Sequence, residues 1–321
     1  MKCKKSIMGL AALLIVIFHF YIPFTGTKLE LTLWRATYIG VDLFFFVSAY
    51  SLGQREKISY LKFVGNRLLS IYVPFVVFAA VANFYEKWKY PRFFKVISGA
   101  EFFKRGGGSF LWFFVAIMLI YFIAPLLVKL KNRFKWKAFA GMMLGWIILS
   151  LIFQYVFHNR SIFILLNRLP IFFIGMYYGE IRKLPLKRFK LPVILIGLDV
   201  GGFLINKYGS LRPLHKPLQD MYYVIAIPFI VSFVALWDFI SSRVKIRNMP
   251  LQFIGRFTLE LYALQMIFGY NMEIKILNST KKMLPSFLIT ALCLILEAYI
   301  LYLAKTLFTK LILKLKEKKQ S

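Results

Sequence analysis

"LIVIFHFYIPF", Leu14 to Phe24, is apolar on both sides of a single histidine, His19. Counted from Ile7, the run is long enough to sit in a bilayer, whose hydrocarbon core takes roughly 20 apolar residues of helix. The basic flank before it, "MKCKK", resembles the start of a secretory signal. No small-residue cleavage site follows, so the segment reads as an uncleaved first helix. Hydrophobic residues make up 60% of the chain and the mean hydropathy is +0.66. Soluble domains run nearer half apolar, so a polytopic membrane protein is expected. An ionisable group at membrane depth raises the question of function. Position alone leaves His19 two readings: a neutral imidazole that fixes helix packing, or a functional group.

Outward from this run, apolar stretches fall near 7–24, 37–53, 67–85, 109–130, 138–157, 161–180, 191–206, 221–240, 256–272 and 285–309. Their lengths suit spanning helices. The expected architecture is all-α, a polytopic transmembrane helix bundle of about ten spans. With the N-terminus inside, most of the 43 lysines and arginines fall in inner segments. That bias places both termini in the cytoplasm. Arg168 and Pro170 interrupt the 161–180 stretch and mark its outer end. Residues 1–321 read as one membrane-embedded domain with no appended soluble domain. The long outer loop near 86–108, "EKWKYPRFFKVISGAEFFKRGGG", reads as an interfacial hairpin or lid with a flexible end.

A net charge of +30 invites a nucleic-acid reading. The cations, however, sit in short clusters between apolar stretches, where they face water and anionic headgroups, so no nucleic acid is expected. Cys3 and Cys293 supply neither a disulfide framework nor a metal spacing, and no metal site is expected. There is no GxSxG elbow, HExxH pair or Walker loop.

Asp42, Asp199, Glu260 and Glu297 also fall inside proposed spans, with Arg67 and Arg256 at inner ends. Lone buried charges are costly, so these groups should face the bundle interior and pair. His19 lies five residues before the outer end of the first span and Asp42 five residues after the outer start of the second. At about 1.5 Å rise per residue the two share a depth. A carboxylate there could hold the imidazole in one tautomer, either for acid–base catalysis or as a structural hydrogen bond. Glu260 and Arg67 lie near the cytoplasmic end. They could pair, Arg67 could meet a phosphate, or Arg67 could snorkel.

Six segments in order resemble the acyltransferase-3 family of bacterial integral-membrane acyltransferases. They are "GLAALLIVIFH" (Gly9–His19) with "GVDLFFFVSAYSLG" (Gly40–Gly53), "KFVGNRLLSIYVPF" (Lys62–Phe75), "LWFFVAIMLIYFIAP" (Leu111–Pro125), "RLPIFFIGMYYGE" (Arg168–Glu180) and "FIGRFTLELYALQM" (Phe253–Met266). The resemblance implies an enzyme of about ten helices that moves an acyl group, often acetyl, from cytoplasmic acyl-CoA to a carbohydrate or other acceptor. His19 matches the family's functional histidine and Arg67 the first arginine of its Arg-x-x-Arg pair. Some positions depart from the pattern. Met8 stands where an arginine is usual, with Lys4 and Lys5 one turn earlier, and Ser70 replaces the second arginine. Ser48-Ala49-Tyr50 replaces Ser-Gly-Phe/Tyr, while Phe110 and Gln265 stand at positions that are often histidine.

The expected mechanism follows from the resemblance. His19, oriented by Asp42, is the base. Lys5, Arg67, Glu260, Gln265 and Tyr262 handle the donor, with Gln265 or Tyr262 donating to the oxyanion. Acyl-CoA (acetyl-CoA) is the donor substrate and no cofactor is bound permanently. The expected partners are an envelope polysaccharide or lipid-linked glycan acceptor, the lipid bilayer and glycan-assembly proteins, in the bacterial cytoplasmic (inner) membrane. The alternatives are a transporter or export component for an envelope glycan without its own transfer chemistry, and a scaffold in an envelope complex.

Overall fold

A computed structural model of the chain describes residues 3–21, 26–159, 161–183, 190–208, 222–243 and 249–318. The far end of the first apolar stretch and the basic segments 184–189 and 244–248, which entered the charge argument, lie outside the described residues. Every regular element among the described residues is helical.

The chain runs α1 (Lys4–Phe20), α2 (Lys28–Ala36) and α3 (Ile39–Gly53), then α4 (Tyr60–Arg67) and α5 (Val73–Glu86), joined by a π-helical turn at Leu68–Tyr72. Pro74 explains that turn. Proline has no N–H to give to Ser70, so the ladder skips a residue and the Val73 N–H reaches the Leu68 carbonyl. Next come the short α6 (Tyr90–Ile97) and α7 (Ala100–Arg105), then α8 (Trp112–Phe134) and α9 (Trp136–Tyr155). α10 (Phe163–Leu166) and α11 (Leu169–Ile181) follow, split at Asn167–Arg168, where the sequence predicts an interruption. α12 (Lys190–Tyr208), α13 (Tyr222–Ile225), α14 (Ile227–Arg243), α15 (Met249–Ile254), α16 (Thr258–Leu264), α17 (Tyr270–Thr280) and α18 (Met283–Lys318) complete the chain, with a second π turn at Gln265–Gly269.

Among the described residues, five helices are long and apolar enough to cross a membrane: Tyr60–Glu86, Trp112–Phe134, Trp136–Tyr155, Tyr223–Ser241 and Met283–Leu307. Ile39–Gly53 and Leu191–Leu204 are shorter apolar helices. The protein is therefore a multi-pass membrane protein. α11 has only 13 residues, because Arg168 ends up at its N-cap rather than inside a span. Much of the apolar surface faces outward, as on Leu69, Val77, Leu144, Leu151, Leu292 and Ile300. In lipid such faces cost nothing, because acyl chains are as apolar as leucine.

The chain forms two compact units, one of Met1–Cys3 with Val41–Lys245 and one of Lys4–Gly40 with Ile246–Ser321. In the larger unit α12 lies along α14, and α11 and α8 each pack on α9. Its core is aromatic, with Phe45, Phe46, Phe75, Phe114 and Phe172 fully buried. Lys131 ties its helix ends together, donating to the Gly53 carbonyl at 2.9 Å and to Glu180 at 2.6 Å. The 86–108 segment, expected as an interfacial hairpin or lid, is helical over most of its length. It folds as α6, α7 and a 3-10 turn around buried Glu101, which takes Arg92 at 3.4 Å, Arg105 at 3.1 Å and the Phe110 N–H at 3.3 Å. Its three glycines form that turn, where Gly106 is buried and its carbonyl accepts from the Ser109 hydroxyl at 2.7 Å.

In the smaller unit α1 packs along α15 and against α16, while α16 and α17 pack on α18. The α1–α15 approach needs glycine on both sides. A Cβ on Gly9 would strike the Leu251 carbonyl, and one on Gly255 the Lys5 carbonyl. Small residues that let backbones approach are a usual device between membrane helices.

Candidate functional site

His19 stands one residue from the end of α1, with its ring exposed. Its Nδ1 lies 3.0 Å from the Ile15 carbonyl, one turn back. A carbonyl can only accept, so Nδ1 carries the proton and Nε2 the lone pair. The sequence assigns the tautomer-holding role to Asp42; here the helix's own backbone supplies it. The Phe18 ring meets His19 edge-on at 5.4 Å and Phe20 lies at 6.1 Å.

The rest of this end of the unit is built on α2. Thr27 caps that helix by accepting the Glu30 N–H at 3.3 Å. Glu30 then ties α2 to the end of α1, taking the Tyr21 hydroxyl at 2.6 Å and the Gly26 N–H at 2.9 Å. Trp34 of α2 stacks on Phe18 at 6.2 Å, and Tyr21 meets Phe287 of α18 edge-on at 5.4 Å.

Of the other expected residues, four share this unit with His19. Gln265 opens the second π turn, and Gly269, at the other end of that turn, receives the Phe20 ring. π turns inside helices often mark functional sites. Gln265 is buried and its Oε1 has no hydrogen-bond partner among the described residues. Tyr262 is buried on α16. Glu260 is buried and pairs with Lys305 of α18 at 2.9 Å, where the sequence offers Arg67. Lys5 is exposed in the first turn of α1.

Asp42 and Arg67 belong to the larger unit. Asp42, fully buried on α3, has Arg168 as its partner: Arg168 Nε stands 3.2 Å from Oδ1, out of line for a hydrogen bond but within ion-pair reach. Arg168 is itself buried. Its guanidinium lies 3.6 Å from the Tyr223 ring centroid and 5.1 Å from that of Trp112, and it donates to the Ile164 carbonyl at 2.7 Å. Sequence reasoning took Arg168 only as a break in an apolar run. The missed signal is charge balance: an acid buried at membrane depth needs a cation, and Arg168 is the arginine set inside an apolar stretch. Asp238 was missed in the same way. It pairs with Arg182 at 3.3 Å, and the Cys3 thiol donates to it at 4.0 Å. Burial, and then the Asp238 carboxylate, pushes that thiol up to about 11, which removes Cys3 as a thiolate nucleophile near neutral pH.

Arg67 is half-buried at the end of α4, its guanidinium 5.2 Å from the Phe63 centroid and 4.8 Å from that of Tyr121. Ser70, a turn further on, is exposed. Among the described residues no three His, Cys, Asp or Glu side chains gather as metal ligands would.

The chain matches the profile of the acyltransferase domain, acyltransferase family 3, over residues 8–303. Neither the curated proteins nor the solved structures yield a match. The matched stretch takes in α1 with His19, the buried Asp42 and Arg168, the stacked Arg67, and all five long apolar helices almost to the end of the last. The chain therefore belongs to the acyltransferase-3 family and is a multi-pass membrane acyltransferase.

Proposed function

We propose that this protein transfers an acyl group, acetyl in the first instance, from cytoplasmic acyl-CoA to a hydroxyl of a cell-envelope glycan in a bacterial inner membrane. The observation that carries the reading is the state of His19. Its Nδ1–H is engaged by the Ile15 carbonyl, which leaves Nε2 as the basic nitrogen.

In this reading Nε2 takes the proton from the acceptor hydroxyl as the hydroxyl oxygen attacks the thioester carbonyl. The tetrahedral intermediate carries charge on the former carbonyl oxygen. Gln265 and Tyr262, on the helix packed beside α1, are the candidate donors to it. The C–S bond then breaks, and the thiolate leaves with the proton that the imidazolium returns. Lys5, in the smaller unit, and Arg67, in the larger, are each a candidate cation for the phosphates of the donor. Asp42 enters as half of the Arg168 pair, which holds its own unit together, and Glu260 as half of the Lys305 pair.

The test is acyl transfer by the purified protein in detergent, using labelled acetyl-CoA and candidate glycans. General-base removal typically costs about 10²–10⁴-fold, so His19→Ala and His19→Gln should lose at least a hundredfold in kcat while the protein still inserts. Full transfer by either variant overturns the assignment. A transporter without its own chemistry yields no ester in detergent, with or without His19.

A further inference from the structure

The short helix α6 is held from one side and aromatic on the other. On the held side Arg92 lies 4.4 Å from the Trp88 ring centroid and pairs with Glu101 at 3.4 Å, and Val96, one turn on, is buried. The Tyr72 hydroxyl secures the end of the helix by donating to the Ile97 carbonyl at 3.1 Å. Tyr90 and Phe94 are two residues out of phase with Arg92 and Val96, which puts them on the opposite side. They are 78% and 46% exposed, and their ring centroids lie 5.0 Å apart. Lys95, about 100° round the helix from Phe94, is exposed as well.

The neighbouring span indicates what covers those rings. α5 turns Val73, Val77, Val81 and Phe84 outward, a stripe spaced by four, four and three residues along one face. Phe84, in the last turn of α5, is 88% exposed. Lys87 then turns the chain in the left-handed region (φ 50°), and α6, which packs on α5, starts three residues later. Tyr60–Glu86 is long and apolar enough to cross a membrane, so its end stands at the border of the hydrocarbon, where aromatic rings are favoured. The aromatic face of α6 therefore continues a surface made for lipid. The charges indicate which lipid. Both acids of this segment are taken by arginine, Glu86 by Arg92 at 3.8 Å and Glu101 by Arg92 and Arg105. Lys87, Lys89, Lys95 and Lys104 are exposed, and none makes an ion pair among the described residues. Each lysine near an anionic membrane surface strengthens attachment about fivefold.

We propose that α6 lies in the plane of the membrane surface, with Tyr90 and Phe94 in the hydrocarbon border and the four lysines on the phosphates of anionic phospholipid. Aromatic faces also stack on sugar rings. Lipid is the occupant here because the face continues the α5 stripe, and because apolar rings bordered by unpaired lysines suit a surface that is apolar below and negative above. The inference is independent of the acyl-transfer reading.

The test is the depth of α6 in the full-length protein, placed in nanodiscs of phosphatidylcholine alone or mixed with phosphatidylglycerol. A nitroxide label is attached at Phe94→Cys or at Lys95→Cys, with Cys3→Ser and Cys293→Ala removing the native thiols. Both labelled positions are exposed, so the fold is not at stake there. Oxygen, which concentrates in lipid, should relax the label at 94 more than a water-soluble nickel chelate does, and the label at 95 should show the reverse. The label at 94 should sit deeper in discs containing phosphatidylglycerol. Changing Lys87, Lys89, Lys95 and Lys104 together to Gln should erase that difference. If the chelate reaches 94 as readily as 95 in both discs, α6 does not lie in the interface and the inference is wrong; shielding of that label by added glycan would then give the face to sugar. If the label at 94 sits at one depth in both discs, or the lysine variant keeps the difference, the preference for anionic lipid is wrong.

Discussion

At the scale of the residue, Asp42 and Glu260 are partnered differently from what depth alone predicts. His19 and Asp42 were both legible, since an ionisable group in an apolar run stands out without any structure. Their partners were not. A carboxylate buried in low dielectric is stabilised by whichever cation the fold delivers, and Arg168 is distant in sequence. The imidazole needed no carboxylate, because a turn of helix always offers a carbonyl four residues back. The Asp42–Arg168 pair has a consequence for stability. Breaking a buried pair from one side leaves an uncompensated charge and typically costs about 3–5 kcal/mol, whereas replacing both partners with neutral groups is often close to neutral. Arg168→Leu should therefore lower the unfolding temperature in detergent sharply, and Asp42→Asn with Arg168→Met should recover most of the loss. An Arg168→Leu protein that melts with the wild type would show that the pair holds nothing together.

At the scale of the element, hydropathy located most helices to within a few residues, because an apolar run must be helical to satisfy its backbone in lipid. It failed where a helix is defined by something other than apolarity. α2 is a short amphipathic helix held by the Thr27 cap and the Glu30 tie, and nothing in a hydropathy profile marks it. The 86–108 segment is likewise organised by one buried acid rather than by its aromatics. The α1–α15 contact makes a sharper claim. Gly9→Ala and Gly255→Ala each push a methyl into a backbone carbonyl, which cannot swing aside as a side chain can. Each should cost about 1–3 kcal/mol by overpacking, read as a fall in unfolding temperature. Gly141→Ala on α9, where a Cβ meets nothing within 4 Å, should be neutral or slightly stabilising. Equal behaviour of all three would mean that α1 does not depend on close approach.

At the scale of the whole molecule, the distribution of lysine and arginine sets the orientation, and both ends of the chain are expected in the cytoplasm. Fluorescent-protein fusions, which mature inside, and alkaline-phosphatase fusions, which act outside, test this at each terminus. Fluorescence at both ends with no phosphatase activity is the expected result; phosphatase activity at either end breaks the ten-span arrangement. Class and family were readable from the chain, because burial in lipid imposes composition on contiguous stretches and the family's motifs are local runs. The pairing of Asp42 with Arg168 and of Glu260 with Lys305 came only from the folded protein. Each joins residues from separate segments, and electrostatic and ring contacts act over a few ångströms of space that no local pattern encodes.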